Sequence, residues 1–254
     1  MTLAGGTNLV PALQMRSLMA GYEPDMPIVR GVDLSVLKGE LVVLLGPNGA
    51  GKSTFVKAIA GLVPIHSGTV HLDGQDITAV PAHGKIGRGL AFVPQTENIF
   101  ATMSIHENLL LAAAMAPKSE RERRIATLFE RFPDLATRPS RLAGQLSGGQ
   151  RQMLAVARAL IVHPSILILD EPSAGLSPKI VAEVFSMLQD INKSGVTIIL
   201  VEQNVRAALT IADRAIILVE GKLRHEGSAA TLADDPIVAK LYLGASATRK
   251  AGVS

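Results

Sequence analysis

The segment Leu41–Ser53, LVVLLGPNGAGKS, constrains this chain more than any other. Five consecutive apolar residues, two of them β-branched, suit a strand buried on both faces. The residues after them fit G-x-x-x-x-G-K-[ST], a loop that must turn sharply and open a helix. By average composition such a pattern arises by chance in about one chain in a hundred of this length. Strand, loop and helix in that order imply a nucleotide-type phosphate cradle. Gly46, Asn48, Gly49, Ala50 and Gly51 would offer close-approaching backbone N–H groups, with Pro47 shaping the turn and Thr54 in the helix just behind. Lys52 would bridge the β- and γ-phosphates, and the Ser53 hydroxyl would ligate Mg²⁺. The plainer alternative is a Gly-rich strand–helix turn, which needs glycine but neither the lysine nor the serine.

The rest of the chain reads in the same style. Ile166–Leu169 and Val196–Val201 are further continuous apolar runs, each followed by a helical pattern, at Pro178–Lys193 and Val205–Ala212. With Gly51–Gly61 after the first run, this repetition predicts a parallel sheet flanked by helices. Leu13–Met19, Val32–Val36 and Thr69–Leu72 alternate more and predict an antiparallel flank, while Ala215–Val219 followed by Glu220, Gly221 and Lys222 predicts a late hairpin. From Ser104 to Arg131 the pattern is helical without a strand and includes the charged run Lys118–Arg124, which predicts an inserted helical subdomain. Among 254 residues there is no cysteine, which excludes a disulfide scaffold, a thiolate zinc site and a cysteine nucleophile. The net charge of +3 is too small to argue for nucleic acid. Mean hydropathy is high at +0.31, yet the longest apolar candidate, Leu109–Ala116, falls far short of the ~18 residues of a membrane span. The first ten residues lack the pattern of a signal peptide, so a cytosolic location is expected.

Two more motifs carry chemistry. Ile166–Leu169 runs into Asp170, Glu171 and Pro172, placing carboxylates at the C-terminal edge of the predicted sheet, where open α/β folds bind ligands. Asp170 could hold Mg²⁺, usually through water, and Glu171 could polarise a water for attack on a γ-phosphate. Ordinary loop carboxylates are the alternative. Leu146, Ser147, Gly148, Gly149 and Gln150 form LSGGQ, which arises by chance in well under one chain in a thousand by average composition. It precedes a helical pattern over Arg151–Val162, so a hydroxyl, bare N–H groups and a positive dipole end would form a second anion receptor. Residues 46–53 already enclose one nucleotide, so this receptor would serve the nucleotide of a neighbouring molecule. An N-capped helix with a flexible entry is the alternative.

On these motifs the chain resembles the ATP-binding subunits of ABC transporters, over about Leu13–Leu243. The resemblance implies a P-loop NTPase core with an antiparallel β flank and an inserted helical subdomain. It implies ATP hydrolysis, with ATP and Mg²⁺ held between two such subunits by Lys52 of one and the LSGGQ residues of the other. Tyr22 matches the aromatic that stacks on adenine, though a turn tyrosine after Gly21 would look the same. Gln95 matches the glutamine at the hinge to the helical subdomain, expected to touch Mg²⁺ or the attacking water. Ser173–Pro178 matches the loop that passes between the two subunits. One departure stands out: where the family usually has a switch histidine, this chain has Gln203. An amide can donate a hydrogen bond to a γ-phosphate but cannot carry a proton, which leaves Glu171 as the expected base. His66, His71, His83, His106, His163 and His225 do not match the switch position.

The runs Val201–Asn204, Asp73–Thr78 and Glu171–Pro178 are similar to the LivF type, which powers branched-chain amino acid importers, and to urea and short-amide relatives. Many LivF-like chains have glutamate where this one has Gln95. The expected organisation is a tail over 1–12, one ATPase domain over 13–245 with the helical subdomain at about 96–160, and a tail over 246–254. The expected partners are a second ATP-binding subunit (a copy or a paralogue), two membrane permease subunits and, indirectly, a periplasmic or extracellular solute-binding protein, with no nucleic acid. That implies a peripheral location at the cytoplasmic face of the cell membrane. Phe100, Met103 and Ile105 are candidate contacts for a membrane subunit, with core packing as the alternative. The competing functions are lipid or lipopolysaccharide export, a soluble ATPase acting on DNA or ribosomes, and a small-molecule kinase. The last two would leave LSGGQ without a role or would need coiled coils, zinc sites or tandem cassettes that this sequence does not have.

Overall fold

A computed structural model describes residues 10–96 and 98–233. Two sheets organise the chain. The first, four-stranded and antiparallel, has the order β2-β1-β4-β5 and is built from β1 (Leu13–Ala20), β2 (Val29–Val36), β4 (Ile65–Leu72) and β5 (Gln75–Asp76). The second has six strands in the order β10-β9-β3-β8-β7-β6. Its parallel members are β3 (Leu41–Leu45), β6 (Leu90–Val93), β7 (Ile166–Asp170), β8 (Thr197–Val201) and β9 (Arg214–Val219), and β10 (Lys222–Ser228) returns antiparallel beside β9. The continuous apolar runs now have their reason. Leu41, Val43 and Leu45 join one buried cluster, whereas Val42 and Leu44 join another on the opposite face, so neither side of β3 meets water.

Helices cover both faces. On one side lie α1 (Lys52–Ala60) and the antiparallel sheet, with α2 (Ala82–Ile86) ahead of β6. On the other lie α3 (Ile105–Ala112), α4 (Arg121–Arg131), α5 (Pro133–Ala136), α6 (Gly148–Leu160), α7 (Pro178–Lys193) and α8 (Val205–Leu209); α9 (Ala229–Ala233) follows β10. The stretch from α3 to α6 contains no strand among the described residues, only an isolated bridge between Ser104 and Leu142. The charged run spans a 3₁₀ turn (Lys118–Glu120) and the start of α4, where Arg124 pairs back with Glu120 at 2.8 Å while Ile125 and Leu128 turn inward.

Several boundaries differ from the sequence reading. The helix expected from Arg151 begins at Gly148, because Ser147 and Gln150 form a reciprocal capping box that draws both glycines into the first turn. The helix expected over Val205–Ala212 stops at Leu209, and the Thr210 hydroxyl donates back to the Ala207 carbonyl. Strand β6 and helix α2 were not anticipated, since Leu90–Val93 is short and has no flanking pattern. Ala12 is already buried and accepts from the Asp73 N–H, so the ordered fold begins ahead of Leu13. The expected tail segments 1–9 and 246–254, and the domain end at 245, lie outside the described residues.

Candidate functional site

The parallel strands end almost level, and the loops leaving β3, β6, β7 and β8 converge beyond their C-terminal ends. An open cleft of about 390 Å³ forms there, lined by Ile28, residues 48–54, Gln95, Glu171 and Gln203. The loop from β3 to α1 follows backbone demands. A Cβ at Gly46 would lie 2.2 Å from the Leu218 carbonyl oxygen, and Gly51, at φ +96°, opens α1 in a left-handed conformation. No side chain caps α1, so its first-turn N–H groups have no side-chain acceptor and face the cleft side of the loop. Lys52, 5% exposed, donates to the Gly46 and Pro47 carbonyls at 2.7 and 3.2 Å. Burial pulls its ammonium below the usual lysine range, opposed by the carboxylates of Glu171 and Asp170.

Those carboxylates stand at the end of β7. Asp170 is buried and accepts from the Ser53 hydroxyl at 3.0 Å. Burial pushes its carboxyl up, and the Ser53 bond holds it back. Glu171 has φ +50°, unusual for a residue with a side chain, and its N–H donates to the Val201 carbonyl at the end of β8. Its carboxylate accepts from the Gln203 amide at 2.8 and 2.7 Å and from the Gln95 amide at 2.9 Å. Two glutamines from two different loops therefore fix one carboxylate at the floor of the cleft. A hydroxyl beside a carboxylate, oxygen donors only, fits a small hard cation such as Mg²⁺, which needs few protein ligands.

Two groups of expected residues lie elsewhere. Tyr22 is 60% exposed on the loop joining β1 and β2, and the residue of that loop lining the cleft is Ile28, which the sequence reading missed. Its Cγ2 lies where a Cβ on Gly51 would come within 3.1 Å, and no pattern in the sequence marks it. Ser147, Gly148, Gly149 and Gln150 do not line this chain's cleft. The Ser147 hydroxyl accepts from the Gln150 N–H at 3.3 Å, and Gly148 and Gly149 pack so tightly on Leu176 and Ile180 that a Cβ would fall 2.8 and 2.7 Å from them. Near the hinge, Ile105 is 1% exposed and belongs to the core, so its expected surface role is corrected: it is the first residue of α3 and points inward. Phe100 is 46% exposed beneath the Arg158 guanidinium, 4.7 Å above its ring, and a groove of about 290 Å³ opens nearby between α3, α6 and β6.

The family model for ABC transporters matches residues 29–174, more than half of the chain. The chain belongs to the ABC transporter family. It is an ATP-binding, ATP-hydrolysing subunit, with the α/β nucleotide-triphosphatase fold expected from the sequence. This ABC subunit is 42% identical over 233 residues to a probable branched-chain amino acid transport ATP-binding protein LivF of Archaeoglobus fulgidus, covering 91% of this chain and 98% of the relative. It is 36% identical to BraG, a high-affinity branched-chain amino acid transport ATP-binding protein of Pseudomonas aeruginosa, over 88% of this chain and 96% of the relative. LptB, a lipopolysaccharide export ATP-binding protein of Escherichia coli K12, is also 36% identical, over 91% and 97%. Among solved structures, a nucleotide-free ATP-binding cassette of an ABC transporter superposes with a TM-score of 0.82 at 26% identity, covering 92% of this chain and 99% of that one. The ADP conformation of the cassette MJ1267 gives 0.81 at 26% identity over the same shares. Among the described residues no helix is long and apolar enough to cross a membrane, and the relatives are subunits of membrane transporters.

Proposed function

We propose that this subunit powers an importer of branched-chain amino acids by closing on ATP shared with a second ATP-binding subunit. The observation that carries the reading is the meeting of Lys52, Ser53, Asp170 and Glu171 at one cleft, with Ser147–Gln150 built as a separate helix start outside it. Lys52, released from its own loop carbonyls, holds the β- and γ-phosphates, and Gly46, Asn48, Gly49, Ala50, Gly51 and Thr54 wrap them in backbone N–H groups while Pro47 shapes the turn. Ser53, Asp170 and Gln95 would hold Mg²⁺, which would supply neutralisation of the phosphate charge. Glu171, aimed by Gln95 and Gln203, takes the proton of the attacking water. Tyr22 and Ile28 flank the base. The partner's Ser147–Gln150 segment completes the pocket. Residues 13–245 act as one ATPase domain, and the helices between about 96 and 160 move as its subdomain.

The groove between α3, α6 and β6, lined by exposed Leu111 and Met115 and by Arg158 over the Phe100 ring, takes a cytoplasmic segment of a permease subunit, which holds the protein at the inner face of the membrane, with Met103 a further candidate contact. Amino acid import is favoured over export because the LivF relative is the more similar one, at 42% against 39% for LptB of Acidithiobacillus ferridurans and 36% for that of E. coli. The ATPase reading is tested with Glu171→Gln. ATP binding should persist while turnover drops by about 10²–10⁴-fold, the range for removing a general base, and the protein should elute as a dimer with ATP. A monomer under those conditions, with no pairing restored by permease subunits, overturns the shared-site reading. Cargo is tested by whether leucine-loaded solute-binding protein stimulates the assembled complex; stimulation by lipopolysaccharide alone would favour export.

A further inference from the structure

Glu202, one residue before Gln203, is 1% exposed and does not line the cleft. Its carboxylate faces the other way, toward the loop after β7. One oxygen accepts the Ser173 N–H at 3.0 Å; the other accepts the Ser173 hydroxyl at 2.7 Å and the Gln203 N–H at 3.2 Å. Burying a carboxylate without a cation is expensive unless such donors surround it. Burial accordingly pushes this carboxyl up while the Ser173 bonds pull it back. Ser173 is buried, but Ala174 and Gly175 beyond it are exposed, so the base of the loop is anchored and its tip is free. The same Gln203 whose N–H is held by Glu202 sends its side-chain amide to Glu171.

We infer that Glu202 is a positioning residue that ties the loop beginning at Ser173 to Gln203, and so sets the aim of the Gln203 amide at Glu171. The inference rests on the proposed role of Glu171 as base and adds a link that the cleft does not reveal. A load on the exposed loop tip would reach the base through Ser173, Glu202 and Gln203 in turn. The test is steady-state ATP hydrolysis by Glu202→Gln and Ser173→Ala, each also made in a Gln203→Ala background. Glu202→Gln should lower kcat about tenfold, the equivalent of one charge-assisted hydrogen bond, with KM within about twofold in protein shown to be folded by circular dichroism at the assay temperature. Ser173→Ala, which keeps the backbone donor, should show a smaller loss of the same kind and serves if Glu202→Gln folds poorly. In the Gln203→Ala background both losses should vanish. An unchanged kcat, or an equal loss without the Gln203 side chain, overturns the inference. If instead Glu171→Gln leaves turnover intact, the base assignment has failed and not this link.

Discussion

The two glycine-rich helix starts of this molecule, at Gly51 and at Ser147, look alike in sequence and differ in what surrounds them. The first is walled: α1 has no side-chain cap, Lys52 is buried in its first turn, and the Asp170 carboxylate at the end of β7 accepts from Ser53. The second is self-sufficient: Ser147 and Gln150 cap each other, and the two glycines are pressed on Leu176 and Ile180. On the proposed reading, this second start adds the remaining contacts only when another molecule brings a nucleotide to it. Moving a pair from 99% open to 99% closed takes about 5.5 kcal/mol of differential binding. Two shared nucleotides with charge-assisted hydrogen bonds of about 1.5–3 kcal/mol each can supply it. On that reading the difference between the two starts is the difference between a pocket and half of one.

The largest expected effect breaks this comparison directly. Lys52→Ala and Ser147→Arg should each abolish hydrolysis when present in every copy. Mixed together, two such inactive chains can form a pair in which one site has the intact lysine of one copy and the intact serine of the other. Activity should therefore return in the mixture, measured as phosphate release at varied ratios. Were each site contained in one chain, mixing would recover nothing.

A smaller effect sharpens the walled side. Helix α1 is braced at its far end by Lys85, fully buried on α2, whose ammonium donates to the Ile59 carbonyl at 2.7 Å. Burial depresses its pKa from the ordinary 10.5 to about 8, with Asp76 opposing. Between those values the unfolded chain binds more protons than the folded one, so stability rises with pH through that window, by about 3 kcal/mol from this group. Below pH 8 the charged ammonium carries its full burial penalty. Lys85→Met should flatten the rise in denaturation experiments between pH 8 and 10.5; an unchanged slope would show that another group produces it. The helix that starts at Ser147 is also braced at its far end, by the part-buried Arg124, whose guanidinium donates to the Ile161 carbonyl at 2.9 Å.

Much of this was legible in the sequence, and the limits are physical. The LVVLL and ILIL runs and their positions before Gly46 and Asp170 announce the parallel sheet, because burial on both faces forces continuous apolar residues. Ser147 and Gln150 carried a capping box at their spacing, but the reading began the helix after the glycines, whose low helix propensity hides their place in the first turn. Ile28 and the Glu202–Ser173 link were not legible at all. They depend on which loops the sheet order brings together, and no local period encodes a contact between residues 29 positions apart. Ile105 failed in the other sense: an apolar residue at a helix start reads equally as surface contact or core, and only packing decides.

The smallest effect concerns the residue that departs from the family pattern. Gln203 donates to both oxygens of Glu171, a geometry available to any planar amide but not to a methyl group. Gln203→Ala should slow hydrolysis by about tenfold through the lost aim of the carboxylate. Gln203→His should slow it less, since an imidazole N–H can still donate. That variant should also acquire a change in rate near pH 6.5, the ordinary imidazole pKa, which the wild-type amide cannot produce. Equal rates for all three proteins would mean that the switch position does not act on Glu171. The walled cleft would then hold its base by Gln95 alone, and the contrast with Ser147 would rest on Lys52, Ser53 and Asp170.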